Sequence, residues 1–229
     1  MKIAFFPRPY GFSEGERQGR KASGFLLALV AAAFVALASN GARADAVKIV
    51  ALGDSLTAGY GLAPGEGFAE QLEKALRLAG TDVTIVNAGV SGDTASGGLE
   101  RLEWAVPADT QGVILELGAN DALRGIDPKK TYAALNSILD KLNARDIPVL
   151  IAGMRAPPNM GAEYVAAFDG MFEQLADEHG ALLYPFFLDG VAGDPDLNQP
   201  DGLHPNKKGV AEIVSRMVPS VTAFIEAIR

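Results

Sequence analysis

Apolar residues fall along this chain in two alternating rhythms. Short, nearly continuous apolar runs cover 47–52, 83–87, 113–117, 148–152 and 181–184. Between them, over 68–78, 99–106, 131–144, 164–179 and 207–228, apolar residues recur at three- and four-residue spacing. Continuous runs predict strands buried on both faces, and the longer period predicts amphipathic helices. Strand and helix alternate throughout, which predicts an α/β fold. The expected architecture is a three-layer α/β/α sandwich around a mainly parallel sheet of about five strands. In such sheets ligands bind beyond the carboxyl ends of the strands, so candidate chemistry is sought there.

The first 44 residues break this alternation. Arg17, Arg20 and Lys21 precede an apolar run over 24–38, and small residues then lead to Ala42-Arg43-Ala44. A basic segment, an apolar segment and an A-x-A site together mark a secretory signal peptide. The apolar run is shorter than the ~20 residues of a membrane span. We therefore expect residues 1–44 to be a signal peptide and 45–229 one exported domain without stable membrane insertion. No repeat or low-complexity linker divides the latter.

Composition narrows the chemistry. The chain is 48% hydrophobic and 21% charged, which is globular. Its formal net charge is −8. Removing residues 1–44 takes away six basic and two acidic side chains, leaving 14 Lys and Arg against 26 Asp and Glu, or −12. Such acidity argues against a nucleic-acid partner. There is no cysteine, hence no disulfide, no thiolate metal site, no cysteine nucleophile and no lipoprotein anchor.

Three predicted strand ends and the loop before the last helix carry candidate residues. The first run ends in Gly53-Asp54-Ser55-Leu56. A serine there is either an exposed nucleophile or an ordinary helix cap. It is not the G-x-S-x-G elbow, because position 57 is threonine. The second run ends in Asn87-Ala88-Gly89-Val90-Ser91-Gly92, where a glycine can present a backbone N–H to a ligand or merely turn the chain, and Gly89 is the candidate. The third is followed by Gly118-Ala119-Asn120-Asp121, whose asparagine amide suits a developing oxyanion or a helix cap. Before the last helix stands Asp201-Gly202-Leu203-His204-Pro205. A serine hydroxyl needs a base to take its proton, and histidine, with an ordinary pKa of ~6.5, suits that task. A carboxylate on the other ring nitrogen fixes the tautomer. The chain has two histidines. His179 ends a predicted helix before Gly180, where a role at the helix C-terminus accounts for it. His204 has no such alternative.

Together these residues supply a nucleophile, two oxyanion donors, and a base with its orienter. The set resembles the SGNH hydrolases, also called GDSL lipases and esterases, over essentially all of 47–229. The matching blocks are Gly53-Asp54-Ser55-Leu56, Gly89, Gly118-x-Asn120-Asp121 and Asp201-x-x-His204. The likeness is strongest to the bacterial periplasmic arylesterase, acyl-CoA thioesterase I and lysophospholipase L1 branch. It implies a flavodoxin-like sheet and hydrolysis of carboxylic esters and thioesters through an acyl-enzyme. It implies Ser55 as nucleophile, His204 as base and Asp201 as its partner. Gly89, Asn120 and the Ser55 N–H would hold the oxyanion, with no metal or organic cofactor. The segment 154–161, Met-Arg-Ala-Pro-Pro-Asn-Met-Gly, departs from the leucine-rich loop usual in this branch. With Leu56, Tyr60 and Leu62 it is expected to line an apolar groove, hinged by Gly153 and Gly161.

Three rival readings remain at this point. A carbohydrate or peptidoglycan O-acetyl esterase uses the same blocks, but would stack sugars on exposed aromatics. Trp104, the only tryptophan, is expected in a helix core. A non-catalytic α/β binding module would carry a phosphate-binding glycine loop, and none is present. A metallophosphoesterase built on Asp54, Asn120, Asp201 and His204 has too few histidines for a two-metal site.

Overall fold

The structure is a computed structural model and describes residues 46–228. The expected signal peptide lies outside the described residues. Five strands form one fully parallel sheet: β1 (Val47–Gly53), β2 (Val83–Gly89), β3 (Gly112–Glu116), β4 (Val149–Ala152) and β5 (Leu182–Tyr184). Their order is β2-β1-β3-β4-β5. The helices are α1 (Ser55–Ala58), α2 (Phe68–Leu78), α3 (Ala95–Glu100), α4 (Leu102–Ala105), α5 (Ala119–Leu123), α6 (Pro128–Asn143), α7 (Ala162–His179) and α8 (Lys207–Ile228).

The apolar runs form the middle layer. Ile49, Val50, Ala51 and Leu52 of β1 are all buried, as is every residue of β3. Both faces must therefore be covered. Helix α2 packs with α8, which closes over β3 by setting Phe224 and Ile228 against Gly112. Helices α3, α6 and α7 form a second packed group. The direction of strand progression reverses between β1 and β3, so a crevice opens beyond their carboxyl ends. There Gly53 lies in register with Gly89 on one side and Glu116 on the other.

Two helices differ from expectation. The stretch read as one helix over 99–106 is two short ones, α3 and α4, interrupted at Arg101 (φ −100°, ψ 1°). Gly97 and Gly98 weaken helix propensity there. Arg101 also turns its guanidinium inward, donating to Ala88 O and Gly53 O at 2.8 Å each and pairing with Asp93 at 2.5 Å. A buried guanidinium is tolerated only when so satisfied. The clamp ties together the ends of β1 and β2. Helix α6 starts at Pro128 rather than 131, because Asp127 caps it by accepting the Lys129 N–H and proline suits the first turn. Trp104 is not a core residue. It is 72% exposed, with the Arg101 guanidinium 5.9 Å from its ring centre.

Candidate active site

Asp54, not Ser55, caps α1, accepting the Leu56 N–H at 2.9 Å. Ser55 therefore opens the helix with its hydroxyl uncommitted to the backbone. Its own N–H has no partner among the described residues.

The imidazole beside Ser55 arrives from a loop 149 residues away. His204 Nε2 lies 2.9 Å from Ser55 Oγ, and His204 Nδ1 lies 2.7 Å from Asp201 Oδ2. The other Asp201 oxygen accepts the N–H groups of Leu203 and His204 at 2.9 and 3.0 Å. These backbone bonds, with the His204 side chain, hold the Asp201 carboxyl down at about 2. It is therefore a carboxylate at any ordinary pH. The loop is fastened at its rear: Gln199 donates to Tyr60 O and Pro205 O, and Asn206 caps the start of α8 through Lys208 and Gly209 N–H. The Tyr60 ring lies against the imidazole, centroids 4.6 Å apart. His179 ends α7 and bonds to Asn136 and Asn143, far from this relay in role.

Asn120 sits in the first turn of α5 and lines the same groove as Ser55 and His204. One amide hydrogen goes to Asp54 Oδ2 at 3.0 Å, which fixes the amide and leaves its second hydrogen available. Gly89 is placed differently from expectation. Its N–H donates to the Asn87 side chain at 3.0 Å, and a Cβ there would meet Ala58 N at 2.2 Å. Its lack of a side chain serves the close approach of β2 to α1. In the turn that follows, Val90 and Asp93 N–H are bonded, whereas Ser91 and Gly92 N–H have no partner among the described residues. Gly92 has φ +86°, and its carbonyl accepts from Arg124 at 2.7 Å, which fastens this turn to the Asn120 segment.

Asp54, the residue before Ser55, is fully buried. Burial pushes its pKa up to about 6, against the opposing bonds from Leu56 and Asn120 and the His204 field. The folded chain thus takes this proton more readily than the unfolded one, whose value is near 3.8. Between those values stability rises as pH falls. We expect a denaturant midpoint that gains more between pH 7 and pH 5 in the wild type than in Asp54→Asn. Equal gains would remove Asp54 as the source.

A groove of about 610 Å³ runs from Ser55 and His204 past Leu56, Leu123, Met154, Ala156, Phe186 and Leu188. The segment 154–158 lines it as expected. Leu62 instead packs on the core, and the Tyr60 ring lies tilted against His204. Gly153 is no hinge: its N–H and carbonyl are bonded to Tyr184 and Phe187. No group of three His, Cys, Asp or Glu positioned to hold a metal occurs among the described residues. Sequence reasoning missed Arg101 and Glu116, and it named Gly89 in a stretch where the N–H groups without a partner among the described residues are those of Ser91 and Gly92. Only Glu116 carried a signal, as a lone acid inside an apolar run.

A parallel α/β sheet with a continuous Asp–His–Ser relay at its switch point defines a serine hydrolase. Residues 51–211 match the GDSL-like Lipase/Acylhydrolase family, and the chain belongs to it. It is 35% identical to Esterase TesA of Pseudomonas aeruginosa, over 86% of this chain and 99% of that protein. It is 37% identical to the Thioesterase 1/protease 1/lysophospholipase L1 of Escherichia coli, over 83% and 90%. The Arylesterase of Vibrio mimicus is also 37% identical, over 74% and 86%. Among solved structures, the SGNH-hydrolase family esterase AlinE4 matches at 46% identity and a TM-score of 0.68, over 80% of this chain and 98% of that one. The chain is an ester-hydrolysing enzyme of this family.

Proposed function

We propose that this enzyme hydrolyses acyl and aryl esters and thioesters through an acyl-Ser55 intermediate. The observation that carries the reading is the Asp201–His204–Ser55 relay opening into an apolar groove. Ser55 attacks the carbonyl carbon while His204 takes its proton, and Asp201 steadies the imidazolium. The oxyanion rests on the Ser55 N–H, the second Asn120 amide hydrogen and the Gly92 N–H. Gly92 takes the place expected of Gly89, whose N–H is already engaged. His204 then protonates the leaving alcohol or thiol. Water repeats the sequence on the acyl-enzyme and frees the acid.

The groove favours acyl chains over sugars. Phe186 is its one aromatic wall apart from His204, and Trp104 is elsewhere. We further propose export to the periplasm after removal of residues 1–44. No helix among the described residues is long and apolar enough to cross a membrane.

A series of p-nitrophenyl esters from acetate to palmitate tests this reading. The expected optimum is an acyl chain longer than acetate. A sharp acetate optimum, with turnover of acetylated sugars, would favour the O-acetyl esterase instead. In the same assay Asn120→Ala should lower kcat by about 10²–10³-fold with KM little changed. Unchanged kcat would take Asn120 out of the oxyanion site.

A further inference from the structure

Two acidic side chains without any solvent exposure, Asp54 and Glu116, lie behind the nucleophile. Glu116 ends β3 in register with Gly53, which places it under the turn that carries Ser55. It uses one oxygen only. Oε2 accepts the Thr57 hydroxyl at 2.7 Å and the Asp54 N–H at a long 3.3 Å. Oε1 has no partner among the described residues. Asp54 uses both of its oxygens, for the Leu56 N–H and the Asn120 amide.

The other charged groups nearby do not neutralise Glu116. His204 and Asp121 act on Asp54. The Arg101 guanidinium is taken up by Gly53 O, Ala88 O and the Asp93 carboxylate. Glu116 makes no ion pair among the described residues. Two adjacent buried carboxyls do not both ionise, and the charge settles on the one whose two oxygens both receive a donor. That one is Asp54. Burial first, and then the Asp54 charge, push Glu116 well above the usual carboxylate range.

We propose that Glu116 is a positioning residue that works as a neutral carboxylic acid. It holds Thr57 and the Asp54 N–H, and with them the Ser55 turn. The single negative charge of the pair stays on Asp54, where it orients the Asn120 amide. An ionised Glu116 would put a second negative charge behind the site where the oxyanion forms. It would also drive a proton onto Asp54, removing an acceptor from Asn120. The catalytic part of this inference rests on the esterase reading above, while the protonation of Glu116 does not.

The test compares wild type, Glu116→Gln and Glu116→Ala. Infrared spectra in D2O at pH 8 read the carbonyl stretch of a protonated carboxyl. p-Nitrophenyl butyrate hydrolysis across pH reads kcat, KM and the acid limb. We expect a protonated-carboxyl band in the wild type that Glu116→Gln removes. Glu116→Ala should lose about 10- to 100-fold in kcat with KM little changed, as misplaced catalytic groups do. Glu116→Gln, a neutral isostere with an oxygen in the same place, should recover most of that loss and leave the acid limb where it was. The proposal fails if the wild type lacks the band or Glu116→Gln retains it. It also fails if folded Glu116→Gln is as inactive as Glu116→Ala, or moves the acid limb to lower pH as removal of a real negative charge would. If Glu116→Ala does not fold, the glutamine variant and the infrared band still decide. If the wild type hydrolyses no ester, the esterase reading fails and the band alone judges the proton.

Discussion

Ser55→Ala is expected to lower kcat for p-nitrophenyl esters by about 10⁴–10⁶-fold, the scale seen when a triad nucleophile is removed. The loss should be one of chemistry, not of structure. Ser55 Oγ bonds to His204 and to no backbone group that the fold depends on. The cap of α1 is supplied by Asp54, so helix and turn survive the substitution. The thermal midpoint should therefore stay close to that of the wild type while turnover disappears. Such a result would establish Ser55 as nucleophile. A folded Ser55→Ala enzyme with a wild-type rate would refute the acyl-enzyme mechanism, and the oxyanion assignments would fall with it.

Asp201→Asn should lower kcat by about 10⁴-fold. Asparagine can still accept the Leu203 and His204 N–H groups through its carbonyl oxygen, so the loop keeps its shape. Its amide nitrogen, however, now faces His204 Nδ1. A donor there forces the ring proton onto Nε2, where His204 can no longer take the proton of Ser55. The same geometry sets the pH behaviour of the native pair. Asp201 is depressed to about 2 from 3.8. Its contribution to stability is thus present above pH 4 and is lost only as the pH falls toward 2. Acid inactivation in the ordinary range then does not come from Asp201, whereas Asp54, raised by burial to about 6, takes up its proton there. Imidazole ¹⁵N shifts would show the tautomer change directly. A variant that keeps more than a tenth of the native rate would remove Asp201 from the relay.

Much of this enzyme is legible along the chain because its signals are local. The run over 47–52 can only be a strand buried on both faces, and β1 is that strand, one residue longer. The period over 207–228 needs one covered stripe, and Ile213, Met217 and Phe224 of α8 are buried accordingly. Asp201 and His204 are three residues apart, so their pairing is fixed by one tight loop. Where signals compete, local reading falters. The amphipathic pattern over 99–106 predicts Trp104 inside, yet its place on a short helix leaves it exposed with the Arg101 guanidinium over its ring.

The sequence by itself determined the layered α/β class, the strand ends that hold chemistry, and Ser55, Asn120, Asp201 and His204 as the residues to watch. These follow from periodicity and side-chain type, which each residue carries within itself. Only the tertiary structure decided how those parts meet. Ser55 reaches His204 because the β2-β1-β3-β4-β5 order brings a loop 149 residues distant over the end of β1. The Gly89 N–H is engaged because the Asn87 side chain takes it, and α1 packs against that glycine. Glu116 became a buried acid under the Ser55 turn because β3 is the neighbour of β1. Each outcome depends on which groups compete for one donor, or share one unsolvated space. That competition exists only once distant segments are packed together.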